Sequence, residues 1–95
     1  MTDTPTAQKS RPQTTAQMTL RDLGKNQSGI VTGFSGADPD LVTRLREIGF
    51  AEGDPVEALH FGLFARNPMT VRLNGALIAL RRNEARTVYV KMDVI

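Results

Sequence analysis

Asn74-Gly75 stands between Met69-Thr70-Val71-Arg72-Leu73 and Ala76-Leu77-Ile78-Ala79-Leu80. The dipeptide is a preferred centre for a type I′ turn, because Asn and Gly accept the positive φ angles that match the right-handed twist of two antiparallel strands. A two-residue loop leaves the register no freedom: Leu73 must face Ala76, Val71 must face Ile78, and Met69 must face Leu80. These six apolar residues then share one side of the sheet, while Thr70 and Arg72 take the other. Turn chemistry and hydrophobic alternation select the same pairing independently. The chain is therefore committed to a β-hairpin over 69–80, and the other elements must pack on its apolar side.

A second local unit is a helix over Pro39 to Ile48. Asp38 can accept from the free amides of its first turn, Pro39 loses nothing at the first helical position, and Asp40 faces the positive end of the dipole. Leu41, Leu45 and Ile48 make one apolar stripe. Gly49 then supplies a left-handed stop, with Phe50 folding back onto Leu45.

The other segments read as strands and turns. Leu20 and Leu23 open an apolar rhythm that Gly24 breaks, and residues 28–34 form a short strand closed by Ser35-Gly36. After a turn at Glu52-Gly53-Asp54-Pro55, residues 56–61 form a strand on which alternation puts Val56, Ala58 and His60 on one face, although the apolar Leu59 and Phe61 on the other leave the facing ambiguous. The polar run from Arg81 to Arg86 interrupts the sheet with a tight helical turn around Asn83 to Ala85. The last strand, Thr87 to Met92, points Val88, Val90 and Met92 inward. The expected fold class is mainly β: a small barrel of about five strands with one α-helix between the first and second, closed so that edges are removed.

Residues 1–17 are rich in Thr, Gln and Pro and predict a flexible tail before a domain over 18–95. The chain has no cysteine, which removes disulfide staples and thiolate ligands and predicts a reducing, cytoplasmic setting. No apolar run approaches the roughly 18–20 residues of a membrane span, so no direct membrane insertion is expected. The N-terminus lacks the apolar core of a secretory signal.

Chemistry is sparsely provided. Ferrous iron or zinc wants several His, Cys or carboxylate ligands on one point, and His60 is the chain's single histidine. It is a weak metal candidate, with Glu57 assigned by alternation to the opposite face; at most a weak divalent metal such as Fe²⁺ is expected, and no other cofactor. Ser10, Ser28 and Ser35 have no histidine partner at a recognisable spacing, and no phosphate-cradling loop is present, so no enzyme activity is expected. Arg72, Arg81, Arg82 and Arg86 lie close in sequence, but with Tyr89 as their one aromatic neighbour they read as a solvated rim paired with Glu84 or Asp93, not as a nucleic-acid surface.

A docking role fits better. The segment Phe61-Gly62-Leu63-Phe64-Ala65-Arg66-Asn67-Pro68 places three large apolar residues in an expected loop. Phe61, Leu63, Phe64 and Arg66 are candidate partner contacts, since apolar and aromatic side chains with a nearby arginine often anchor an interface. In the competing reading Phe61 and Leu63 fold under the loop and plug one end of the barrel. Arg44 and Arg46 on the helix are the second candidate surface.

These segments, in order and at their spacing, resemble the FeoA family over about Met18 to Met92. The resemblance is carried by Leu20-x-x-Leu23, the strand at Gly29 to Phe34, Arg44-Leu45-x-x-Ile48-Gly49-Phe50, Glu52-Gly53-Asp54-x-Val56, Asn67-Pro68 and Ile78-Ala79-Leu80-Arg81-Arg82-x-Glu84-Ala85. It implies an SH3-like barrel and an accessory role in bacterial ferrous iron uptake. The implied partner is the cytosolic, GTP-binding region of a FeoB-type membrane transporter, which would hold the chain peripherally at the inner membrane. The same fold ends metalloregulators of the DtxR type, but this chain has no residues left for their winged-helix domain. A nucleic-acid-binding or general protein-interaction module is the alternative, and weak self-association is left open.

Overall fold

A computed structural model describes residues 18–92. The expectations for residues 1–17 and for Asp93 lie outside the described residues. Within them the strands are β1 (Met18–Thr19), β2 (Ser28–Phe34), β3 (Pro55–Phe64), β4 (Asn67–Leu73), β5 (Ala76–Leu80) and β6 (Val88–Met92). A 3-10 turn spans Leu20–Asp22, and the helices are α1 (Pro39–Ile48) and α2 (Arg82–Thr87). The strands form one antiparallel sheet in the order β1-β6-β2-β3-β4-β5. The two-residue β1 raises the strand count from five to six and places α1 between the second and third strands. The helical turn expected at Asn83 to Ala85 is a second helix, α2, packed against α1, the 3-10 turn, β1, β4 and β6.

The hairpin pairs as its turn demands: Leu73 with Ala76, Val71 with Ile78, and Met69 with Leu80. Asn74 and Gly75 have φ of 51° and 85°. The helix signals also hold. Asp38 Oδ1 accepts from the Leu41 amide at 3.2 Å. At the other end Gly49, at φ 131°, donates to the Arg46 carbonyl, and Phe50 donates to that of Leu45 at 3.1 Å. This paired closure satisfies two orphan carbonyls and turns Phe50 inward. Phe50 and Leu45 are buried in one core with Leu20, Leu23, Val31, Val56, Ala58, Met69, Val71, Leu73, Leu80, Ala85, Val88 and Val90.

Three expectations about facing are corrected. Ile48 does not complete the buried stripe of α1; it is 43% exposed, at the last residue of the helix, where it lines an open cleft with Arg44 and Pro68. Met92 is 38% exposed, at the last rung of β6 opposite Gly29, which has no side chain to pack on it. His60 does not share a face with Val56 and Ala58. Ala58 pairs with Val71 but His60 pairs with Thr70, so Leu59 is an extra residue and the alternation flips.

Candidate functional site

The segment expected to be a loop is a continuation of the sheet. β3 runs on to Phe64, β4 restarts at Asn67, and only Ala65 and Arg66 turn the chain. Phe61 pairs with Met69 and Phe64 with Asn67, so β3 carries one residue more than β4 between these rungs. The bulge lies opposite Pro68, which has no amide to give the ladder. Phe61 turns inward and packs against the core. Leu63 and Phe64 do not fold under: they are 95% and 84% exposed. The bulge and the projection of the tip past the core leave both neighbouring residues in solvent, where strict alternation would have turned one inward.

Ala65 and Arg66 have φ of 55° and 59°. A left-handed conformation at two successive residues with side chains costs about 1–2 kcal/mol each and must be imposed from outside. Two distant arginines impose it. Arg21 donates from Nη1 to the Arg66 carbonyl at 2.7 Å and from Nη2 to the Ala65 carbonyl at 2.8 Å. Arg82 donates from Nη2 to the same Ala65 carbonyl at 2.9 Å. The Arg66 guanidinium lies 4.0 Å over the Phe61 ring and covers its outer face. The Arg82 amide donates to Asn67 Oδ1 at 3.0 Å, which pins the return strand. The tip is thus an apolar pair on a backbone gripped from below. Arg21 was not singled out in the sequence, and Arg82 was read there as part of a solvated rim; their partners lie 44 and 45 residues away for Arg21 and 17 away for Arg82.

The helix candidates are engaged differently. Arg46 makes two 3.0 Å hydrogen bonds to the Glu52 carboxylate and lies 4.5 Å over the Phe34 ring. Those hydrogen bonds hold the Glu52 carboxyl below its ordinary pKa and raise that of Arg46. Arg44 Nη2 meets Glu84 Oε2 at 2.8 Å, while Glu84 Oε1 accepts from the Arg81 amide at 2.7 Å. Glu84 therefore pairs with α1, not with the arginines around it, and it caps α2. A shallow cleft of about 420 Å³ beside this bridge is lined by Arg44, Ile48, Pro68, Ala79 and Leu80, among others. Glu84, 7% exposed, is worth testing. Glu84→Ala should lower stability by about 1–2 kcal/mol, by removing the acceptor of the part-buried Arg81 amide and the first-turn carboxylate. Arg44→Ala, removing a mostly exposed partner, should lose under about 1 kcal/mol. Chemical denaturation checks both; equal losses would show that the cap contributes nothing.

Of the four arginines close in sequence, three go to different places. Arg72 bonds Glu57 at 2.9 Å across β3–β4, Arg81 borders the α1 cleft, and Arg82 reaches the hairpin tip. The flip at Leu59 puts His60 on the outer face, the same face as Glu57, reversing the expected separation. Glu57 is engaged with Arg72, and among the described residues no three His, Cys, Asp or Glu side chains form a group that could hold a metal. No described helix is long and apolar enough to cross a membrane.

A six-stranded antiparallel sheet bent round one core, with a short helix packed beside its first strand and an exposed apolar hairpin tip, defines a small SH3-like domain. The FeoA domain model matches residues 18–92. The chain belongs to the FeoA family, and its role lies in ferrous iron transport. It is similar to the FeoA protein of Chlorobium tepidum, with 31% identity and a TM-score of 0.71 over 81% of this chain and 71% of that one. It is also similar to Stenotrophomonas maltophilia FeoA in complex with zinc, at 32% identity and a TM-score of 0.70 over 78% and 89% of the two chains. That protein is described as a prokaryotic SH3-domain protein and a candidate activating factor of ferrous iron transport. A manganese-dependent transcriptional repressor shares the fold alone, at 23% identity and a TM-score of 0.73, over 80% of this chain but 36% of its own. No curated protein sequence matches the chain.

Proposed function

We propose that this chain is a non-catalytic accessory of ferrous iron uptake that docks through the β3–β4 tip on the cytosolic region of a FeoB-type transporter and modulates it. Family membership and the description of the Stenotrophomonas relative support the iron-transport setting. The tip carries the docking reading: Leu63 and Phe64 expose large apolar surface on a backbone held by Arg21 and Arg82. A monomeric fold gains nothing by exposing that surface, whereas an interface gains from anchors that are already ordered.

Phe64→Ala, or Arg66→Ala, should weaken binding to the transporter's cytosolic region by at least about 1 kcal/mol, measured by calorimetry. Folding should be retained, since Phe64 is exposed and Arg66 covers only the outer face of Phe61. Unchanged affinity in both variants would remove the tip as the docking surface.

A further inference from the structure

The arginines of this domain fall into two populations. Arg44, Arg46 and Arg72 each bond a glutamate. Arg21 and Arg82 reach the turn carbonyls of the β3–β4 tip, Arg66 lies in that turn, and Arg86 follows Arg82 by one helical turn on α2; among the described residues none of the four meets a carboxylate within ion-pair distance. Burial, followed by the neighbouring charges of Arg82, Arg66 and Arg86, lowers the pKa of the Arg21 guanidinium. The nearest acidic influence on Arg21, Asp22, is engaged with the amide and hydroxyl of Thr19. Arg82 keeps a buried Nε–H with no acceptor among the described residues. Arg82 and Arg86, four apart on α2, share one helix face.

Such a cluster stores repulsion that an incoming anion would relieve. We infer that the surface received by this tip is an acidic protein segment, whose carboxylates enter the Arg21, Arg66, Arg82 and Arg86 cluster while an apolar pocket takes Leu63 and Phe64. The inference rests on the docking reading and specifies the chemistry of the partner. All four cations are arginines, which stay charged at any working pH, and Arg86 keeps its planar fork free to meet a carboxylate. Three of them are fixed: Arg21 and Arg82 by turn carbonyls, and Arg66 by the Phe61 ring. Fixed donors favour a partner of defined shape over a fluid anionic lipid surface. A single exposed aromatic, Phe64, is too little for successive bases of a nucleic acid to stack on.

The full chain should be titrated by calorimetry with the cytosolic region of the transporter at several salt concentrations. Affinity should fall about tenfold or more between about 0.05 and 0.5 M salt. Arg86→Glu should lower it about tenfold at low salt, and Arg86→Gln about threefold. Arg86 is exposed and holds no part of the turn, so its variants should fold. Arg72→Gln, on the Glu57 pair, should leave affinity unchanged. Salt-insensitive binding that Arg86→Glu leaves intact but Leu63→Ser weakens would overturn the acidic partner and keep the docking surface. Absence of wild-type binding would remove the docking reading and this inference with it. Binding to phosphatidylglycerol vesicles or to single-stranded RNA, without binding to the transporter region, would reassign the arginines to lipid or nucleic acid.

Discussion

Phe50→Ala is expected to lower the stability of the domain by about 3–5 kcal/mol, the largest loss from any single side-chain truncation here. Phe50 is 1% exposed and heads the fully buried side chains by volume. Its backbone is fixed by the hydrogen bond to the Leu45 carbonyl and by the turn at Gly49, so the chain cannot slide to fill the space left behind. The lost transfer free energy and an uncollapsed cavity therefore add. A domain of this length has only about 5–15 kcal/mol in total, so the variant should unfold at much lower denaturant and approach the limit of folding near body temperature. Phe50→Leu, which keeps most of the volume, should lose under about 2 kcal/mol. A midpoint shift for Phe50→Ala worth less than about 1 kcal/mol would show that the helix end and the sheet do not share one core.

Gly62→Ala should cost about 2–3 kcal/mol and disturb the tip at the same time. A Cβ on Gly62 would press into the Asn67 carbonyl and come within 2.8 Å of Pro68 N. The obstacle is the backbone of the paired strand, not the end of a flexible side chain, so the hairpin itself must open. Opening it pulls Asn67 Oδ1 away from the Arg82 amide and the turn carbonyls away from Arg21 and Arg82. Stability and partner affinity should fall together, unlike in Phe64→Ala, where affinity falls alone. Gly36→Ala is the control, since nothing lies within 4 Å of the added atom. Equal denaturation midpoints for the two alanine variants would refute the close approach.

The two arms of the tip explain how far a reading of residues could reach. Phe61, Leu63, Phe64 and Arg66 stand out because apolar residues crowd a segment bounded by Gly62 and Pro68. The turn itself was invisible, since Ala65-Arg66 has none of the Gly or Asn chemistry that announces positive φ. The facing of His60 was ambiguous for a related reason: an extra residue at Leu59 inverts the alternation that follows, and the apolar Leu59 and Phe61 hint at two facings without locating the bulge. Glu84 was expected to serve neighbouring arginines, yet it spans to Arg44, 40 residues away.

What the residues determined unaided are the pieces whose causes lie within a dozen positions. The 69–80 hairpin and the capped helix over 39–48 are of this kind, because turn dihedrals, caps and periodicity act between near neighbours. Packing alone decided the left-handed Ala65-Arg66 turn, the convergence of Arg21 and Arg82 on it and the outward placement of Leu63 and Phe64. Those features depend on groups brought together only after the sheet has bent round its core, and short-range preference carries no record of them.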